Sequence, residues 1–316
     1  MDVEELFLQP GDRVDQFRVD RVLGQGAFAV TYLVTDTVLN APFAVKEFLP
    51  RERAHRAPDG SLQPIDSSSD AAFRQGRQAF VAEGQVLAGL DHPNVVKVLR
   101  CFEARNTAYL QMPFYRGEAL HSLLQRSGTL NEEEALALAR PLLGALEYLH
   151  QRGVLHLDIK PANIYVTEEG VPILLDFGSA TPVTGRNLGS EGYAAPEQSG
   201  GRHTGPVTDI YGLAATLYRC ISGHVPPAAR QREEAQAAGQ PDPLQPLERI
   251  FPAGAFPSIS KALDKGLQLD AGSRPQNIAD WRSSFSSPQP GIPAGITADT
   301  EPEGREWLPL ALLGLF

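Results

Sequence analysis

The sequence predicts an α+β protein in two unequal parts: a strand-rich first part with one principal helix, then a larger, mostly helical part. Two observations carry this. Short runs of β-branched and aromatic residues, cut by Gly, Asn and Pro, are concentrated in the first 112 residues. Longer apolar runs with helical spacing and cap residues dominate after that.

In chain order, strands are expected over residues 17–23, 29–35 and 43–48. Gly24-Gln25-Gly26 parts the first pair and Asn40-Ala41-Pro42 the second. Residues 51–70 hold Pro58-Asp59-Gly60 and Ser67-Ser68-Ser69 and read as a loop. Phe73, Phe80, Val81, Leu87 and Leu90 fit one helical face, so a helix is expected over 71–90. Two more strands are expected near 95–102 and 108–112. In the second part, Asn131 with Glu134 forms a capping-box pattern. An apolar-periodic run follows to His150, with Gly153 suited to its C-terminal cap. Short strands near 164–166 and 173–175 flank Glu169-Gly170. A further apolar helix over 207–222 stops at Gly223. Residues 226–257, rich in Pro, Ala and Gln, have a weak pattern, and no internal repeat is present.

A chain of 316 residues, 42% hydrophobic, suffices for one large or two modest domains. The net charge of −10 argues against nucleic acid as a partner. Two cysteines, Cys101 and Cys220, allow one disulfide at most, so a reducing cytosol is the simpler expectation. The first twelve residues are acidic and lack the long apolar run of a secretory signal.

Four groups of residues carry chemistry. Gly24-Gln25-Gly26-Ala27-Phe28-Ala29 lies between two expected strands, where glycines let backbone N–H groups approach phosphate oxygens. A plain hairpin turn explains that segment as well. Phe43-Ala44-Val45-Lys46 puts a lysine on a strand among apolar neighbours. It either reaches solvent from an edge or needs an acidic partner, for which Glu83 on the next helix is the candidate. His156-Leu157-Asp158-Ile159-Lys160-Pro161-Ala162-Asn163 is more specific. A carboxylate there can accept a hydroxyl proton, the lysine can neutralise a transferring phosphoryl group, and the asparagine oxygen can ligate a metal. Asp176-Phe177-Gly178, after the apolar Ile173-Leu174-Leu175, offers a second metal carboxylate.

Taken in this order, with Ala195-Pro196-Glu197, Asp209 and Arg274 following, these motifs resemble the eukaryotic-like serine/threonine protein kinases of bacteria. The resemblance covers residues 17–285 and implies a bilobal protein-kinase fold. That fold has a small antiparallel β-sheet lobe over 17–112, a hinge at 113–115 and a helical lobe over 116–285. Residues 1–16 are then an N-terminal extension, 286–306 a Pro-rich linker and 307–316 an apolar tail. The implied cofactors are ATP and Mg²⁺, or Mn²⁺ in its place. The implied partners are protein substrates with Ser or Thr acceptors. Asp158 would be the catalytic base and Lys160 would sit against the γ-phosphate. Lys46, paired with Glu83, would hold the α- and β-phosphates under the loop of residues 24–29. Asn163 and Asp176 would bind the metal. For adenine the resemblance implies Met112 as gatekeeper, the Pro113 carbonyl and the Tyr115 N–H as hinge contacts, with Ala44 and Tyr165 on the two ring faces. Core packing accounts for Ala44 and Tyr165 equally well. Glu197 with Arg274 would form a structural ion pair, and Asp209 would brace the catalytic loop.

Two departures bear on activity. Ala29 replaces the third glycine, and Leu157 stands where many relatives have arginine. A leucine cannot bind a phosphate on the activation segment, residues 179–191, whose hydroxyl candidates are Ser179, Thr181, Thr184 and Ser190. Ser190 is expected to bond the catalytic Asp and Lys. The alternatives are a pseudokinase or ATP-binding docking module without catalysis, and a small-molecule kinase of the same wider fold. Lys160 and the Ala-Pro-Glu segment count against the last. Residues 307–316 carry no charge but five leucines. As a helix they would measure about 15 Å against the roughly 30 Å of a bilayer core. They read either as part of a membrane span or as a docking element, with the kinase domain in the cytoplasm.

Overall fold

Every strand of the first part pairs antiparallel with its neighbours. These strands are β1 (Arg13–Val14), β2 (Phe17–Gln25), β3 (Ala29–Asp36) and β4 (Ala41–Phe48). A small hairpin of β5 (Ala54–Arg56) and β6 (Leu62–Pro64) follows, then α1 (Asp70–Ala88), β7 (Arg100–Ala104) and β8 (Thr107–Pro113). The main sheet has six strands in the order β1-β2-β3-β4-β8-β7. Along β3, Val30, Tyr32 and Val34 are buried while their neighbours are half-buried, the period-2 pattern of a sheet with one face on a core. The sheet curls until its edges meet: Arg105 donates to the Arg13 carbonyl at 2.6 Å and Phe17 stacks on Phe102 at 5.9 Å. The computed structural model describes residues 6–177, 190–199, 202–252 and 254–285. They belong to one unit, Met1–Ser286; the linker and the apolar tail lie outside the described residues. So do Gly178 and residues 179–189 of the activation segment.

The stretch 51–70, expected as a loop, contains the β5–β6 hairpin. Its strands are three residues long, too short for a periodicity to declare them, and a buried charge network holds them. Glu47, fully buried on β4, accepts hydrogen bonds from Arg56 (2.8 Å), Tyr32 (2.8 Å) and Tyr109 (2.6 Å). Burial and the adjacent Glu47 charge push both tyrosine pKa values up, so both phenols stay protonated donors. Arg56 also donates to the Leu6 carbonyl, and the Leu8 N–H donates to Tyr32 Oη. Residues 6–8 of the N-terminal extension are thereby fastened to the sheet, with Leu6, Phe7 and Leu8 buried.

The second part begins with β9 (Gly117–Ala119), α2 (Leu120–Ser127) and α3 (Glu132–His150), followed by β10 (Ile164–Thr167) and β11 (Pro172–Leu174). Then come α4 (Pro206–Ser222), α5 (Ala229–Ala237), α6 (Leu247–Ile250), α7 (Ser260–Gly266) and α8 (Ile278–Arg282). The capping box is complete in both directions: the Glu134 N–H donates to Asn131 Oδ1 at 3.0 Å and the Asn131 N–H to Glu134 Oε2 at 2.9 Å. Helix α3 ends at His150, and Gly153 takes a positive φ of 71° in the turn beyond. Helix α4 is buried almost all round and stops at Gly223 in the left-handed region.

Two further stretches depart from the expectation. β9 forms because Ala119 finds Tyr165 across from it, and Gly117 has no Cβ to strike the Val166 carbonyl. The strand expected over 95–102 starts only at Arg100. Residues 94–96 instead exchange hydrogen bonds with Leu174 of β11, tying the two parts together. Among the described residues no helix is long and apolar enough to cross a membrane.

Candidate active site

Strand β4 and helix α1 bring Lys46 and Glu83 to one place. Lys46 Nζ donates to Asp176 Oδ1 at 2.5 Å and lies 4.0 Å from Glu83 Oε1. That Glu83 oxygen is buried with no hydrogen-bond partner. Burial alone would lower the Lys46 pKa, but the charges of Asp176 and Glu83 outweigh it and raise it. The Lys46 charge holds the Asp176 carboxyl below the usual range, whereas burial pushes Glu83 above it. Asp176 itself has a positive φ of 55°.

The loop after α3 carries the second group. Asp158 Oδ2 accepts from Lys160 Nζ at 2.8 Å and from Asn163 Nδ2 at 2.9 Å. Asp158 Oδ1 accepts from the Ser190 hydroxyl at 3.1 Å, and Lys160 also donates to Ser190 Oγ at 2.6 Å. A buried frame shapes this loop. The Asp209 carboxylate, on α4, accepts the N–H groups of His156 (2.9 Å) and Leu157 (2.8 Å) and contacts His150 Nε2 at 2.8 Å. Leu157 is held at a φ of 62°, unusual for a leucine, with its carbonyl bonded to Gln198 Nε2 at 2.7 Å. Burial lowers the His156 pKa, which leaves the ring neutral. One nitrogen can then donate to the Leu175 carbonyl while the other accepts the Asp158 N–H, both contacts being present. Sequence reasoning missed His150, His156 and Gln198 as supports. The only available signal was their nearness to Asp158 or to Ala-Pro-Glu.

Gly24 is in β2 and Gly26 in the turn beyond, where its N–H bonds the Ala29 carbonyl at 2.8 Å. A Cβ at Gly24 would meet nothing within 4 Å, and one at Gly26 nothing closer than 3.6 Å. The fold itself does not demand glycine at either place. Gln25 accepts from Arg51, the Ala27 and Phe28 carbonyls accept from Arg51 and Leu49, and the Phe28 ring is exposed. Ala44 lies across from Met112, and Phe43 across from Pro113, the last residue of β8. Tyr165 on β10 donates to the Tyr115 carbonyl at 3.1 Å, two residues beyond Pro113.

Among the described residues no group of three His, Cys, Asp or Glu side chains could hold a metal alone. Asn163 and Asp176 supply two oxygen donors on adjoining segments, linked by the Leu175 N–H bonded to the Asn163 carbonyl at 2.9 Å. This donor set suits a hard cation that shares its remaining ligands with phosphate oxygens. Farther down, Arg274 makes a two-pronged pair with Glu197, at 2.7 and 2.9 Å.

A family model described as the protein kinase domain matches residues 17–265. The chain is 30% identical over 266 residues to serine/threonine-protein kinase PknK of Mycobacterium tuberculosis, covering 82% of this chain and 22% of that protein. It is 30% identical over 224 residues to serine/threonine-protein kinase PrkC of Bacillus subtilis, covering 68% and 32%. It therefore spans only a minor share of these curated relatives. The solved apo form of PpkA-294 superposes with a TM-score of 0.81 at 33% identity, covering 89% of this chain and 100% of that one. With the motif order, the two-part fold and the family match in agreement, this chain belongs to the protein kinase domain family and is similar to its bacterial serine/threonine members.

Proposed function

We propose that this chain transfers the γ-phosphate of ATP to serine and threonine hydroxyls of protein substrates. The observation that carries the reading is the Asp158 carboxylate. One oxygen is held by Lys160 and Asn163, while the other accepts a serine hydroxyl at 3.1 Å. A substrate hydroxyl in that place would be oriented by Asp158 and give up its proton to it. Lys160, already bonded to both groups, would neutralise charge on the phosphoryl group in transit. Lys46 would turn from Asp176 to the α- and β-phosphates and pair with the free Glu83 oxygen. The backbone of residues 24–29 would cover the phosphates, and Ala44, Pro113, Tyr115 and Tyr165 would surround adenine. Asp176 and Asn163 would hold Mg²⁺ or Mn²⁺, which would supply charge neutralisation for the phosphates. Phosphoryl transfer asks mainly for positioning and charge, so these groups suffice without a covalent intermediate.

The test is phosphate transfer from labelled ATP, with Mg²⁺, to a generic protein substrate, comparing wild type with Asp158→Asn. Loss of a positioned base costs on the order of 10²–10⁴-fold. Near-normal turnover by the folded variant would sink the assignment and favour a docking module. Labelled sites should be Ser or Thr, and a predominance of phosphotyrosine would refute the specificity. The reading also places the kinase domain in the cytoplasm with residues 307–316 against a membrane, supported by their uncharged, leucine-rich composition. Fractionating cells that express the chain with and without residues 306–316 tests it; identical soluble behaviour refutes the membrane contact.

A further inference from the structure

Helix α1 lies on the sheet face that carries Lys46, and two glycines make its close approach sterically feasible. Lys46 and Phe48 are two residues apart on β4 and therefore share a face. Leu110 on β8 is directly across from Lys46 and shares it too. A Cβ on Gly84 would fall far inside van der Waals contact with Leu110 Cδ2 and stand 3.4 Å from Cys101 Sγ. A Cβ on Gly76 would come within 2.7 Å of Phe48 Cζ. Neither neighbour is free to step aside. Leu110 is 1% and Phe48 5% exposed, and the Phe48 ring is packed by Phe73 at 5.7 Å and Phe80 at 5.8 Å. Both glycines lie inside a regular helix without positive φ, so the backbone does not require them. Each weakens the helix relative to alanine. What they give in return is clearance over Phe48 and Leu110, the same-face neighbours of Lys46 along β4 and across on β8.

We propose that Gly76 and Gly84 are positioning residues: they let α1 down onto the sheet and so set the Lys46–Glu83 separation. Glu83 immediately precedes Gly84, and its free oxygen stands 4.0 Å from Lys46, at the limit of an ion pair. Raising the helix there by about 1 Å would take Glu83 out of reach, a misplacement of the size that can cost about 10²-fold in rate. The consequence for turnover rests on the reading of Lys46 as the residue that holds the ATP phosphates; the geometric claim does not.

The experiment compares Gly84→Ala, Leu110→Val and the double variant. Valine lacks the Cδ2 atom that the new methyl would strike. Gly84→Ala should lower kcat/KM for ATP by at least about tenfold, chiefly through KM. Leu110→Val alone should stay near wild type, and the double variant should recover to within about threefold of wild type. A crystal structure of Gly84→Ala should show the Lys46–Glu83 separation lengthened beyond 4.0 Å. An unchanged separation overturns the proposal whatever the kinetics. So does a loss of activity in folded Gly84→Ala that Leu110→Val fails to relieve. Full turnover by Lys46→Met would instead overturn the nucleotide reading, and the measured separation would still decide the role of the glycines.

Discussion

Two buried ion pairs, one in each lobe, are built in opposite ways. In the helical lobe Arg274 grips both oxygens of Glu197, and its remaining N–H groups reach the carbonyls of Gln268, Val207 and Leu269. Thr208 donates to the same carboxylate at 2.8 Å. Each charge there has its partners within the fold. In the sheet lobe Lys46 stands 4.0 Å from Glu83, is drawn instead to Asp176, and leaves a buried Glu83 oxygen unbonded. A saturated pair can hold one geometry only. An unsaturated one keeps unspent bonding capacity for a ligand, which is the arrangement expected where a triphosphate and a cation must enter.

Substituting each cation is the strongest way to break that comparison. Arg274→Ala should cost about 3–5 kcal/mol of stability, because it strands a buried carboxylate. Lys46→Met should abolish phosphate transfer yet destabilise less, since burial already favours protonation of Glu83 and Asp176 reaches water. Urea denaturation of both variants checks this; a larger loss from Lys46→Met would reverse the contrast.

Acid titration sharpens it. For Glu197, burial works against the charged form, but the hydrogen bonds and charge of Arg274 outweigh it and lower the pKa. A carboxyl lowered by folding contributes stability present above its unfolded pKa, about 4.3, and lost as pH falls through its folded value. Glu83 is raised, so its contribution has the opposite sign: it is present below about pH 4.3 and lost as pH rises through the folded value. Glu197→Gln should therefore reduce the acid-side loss of stability, whereas Glu83→Gln should reduce a loss on the rising side. Denaturation midpoints across that range, measured for both variants, should change slope in opposite directions.

A smaller effect concerns the loop that carries Asp158, which sides with the saturated pair. Leu157 is buried, its N–H bonds Asp209 and its carbonyl bonds Gln198. The loop is shaped from inside and offers no arginine to an activation-segment phosphate. Phosphatase treatment of the purified kinase should change initial rates by less than about tenfold; a greater loss would show that a phosphate does the shaping. The smallest effect is local. Asn131→Ala removes one half of the capping box at the start of α3 and should cost about 1 kcal/mol by thermal unfolding, without changing KM for ATP.

Much of this architecture was readable along the chain because its signals are local. Asn131 and Glu134 are one helical turn apart, β3 alternates within eight residues, and Gly223 ends α4 by its own backbone freedom. Asp158, Lys160 and Asn163 fall within six residues, so their chemistry could be argued before any fold was known. What bears on more distant residues could not. The three-residue strands β5 and β6 exist because Arg56 reaches a buried Glu47, and β9 because Tyr165 lies across from it. Lys46 and Asp176 are 130 residues apart, and nothing near either states that in this structure the lysine bonds Asp176 and leaves a Glu83 oxygen free. Gly84 reads in the sequence as a weak point in a helix; only the packing of α1 against Leu110 gives it a role. Composition, turns and motifs were determined by the sequence itself, because they depend on neighbours along the chain. Register, partner choice and the state of each buried charge were decided by tertiary structure, because they depend on what the fold excludes from water and brings within hydrogen-bond reach.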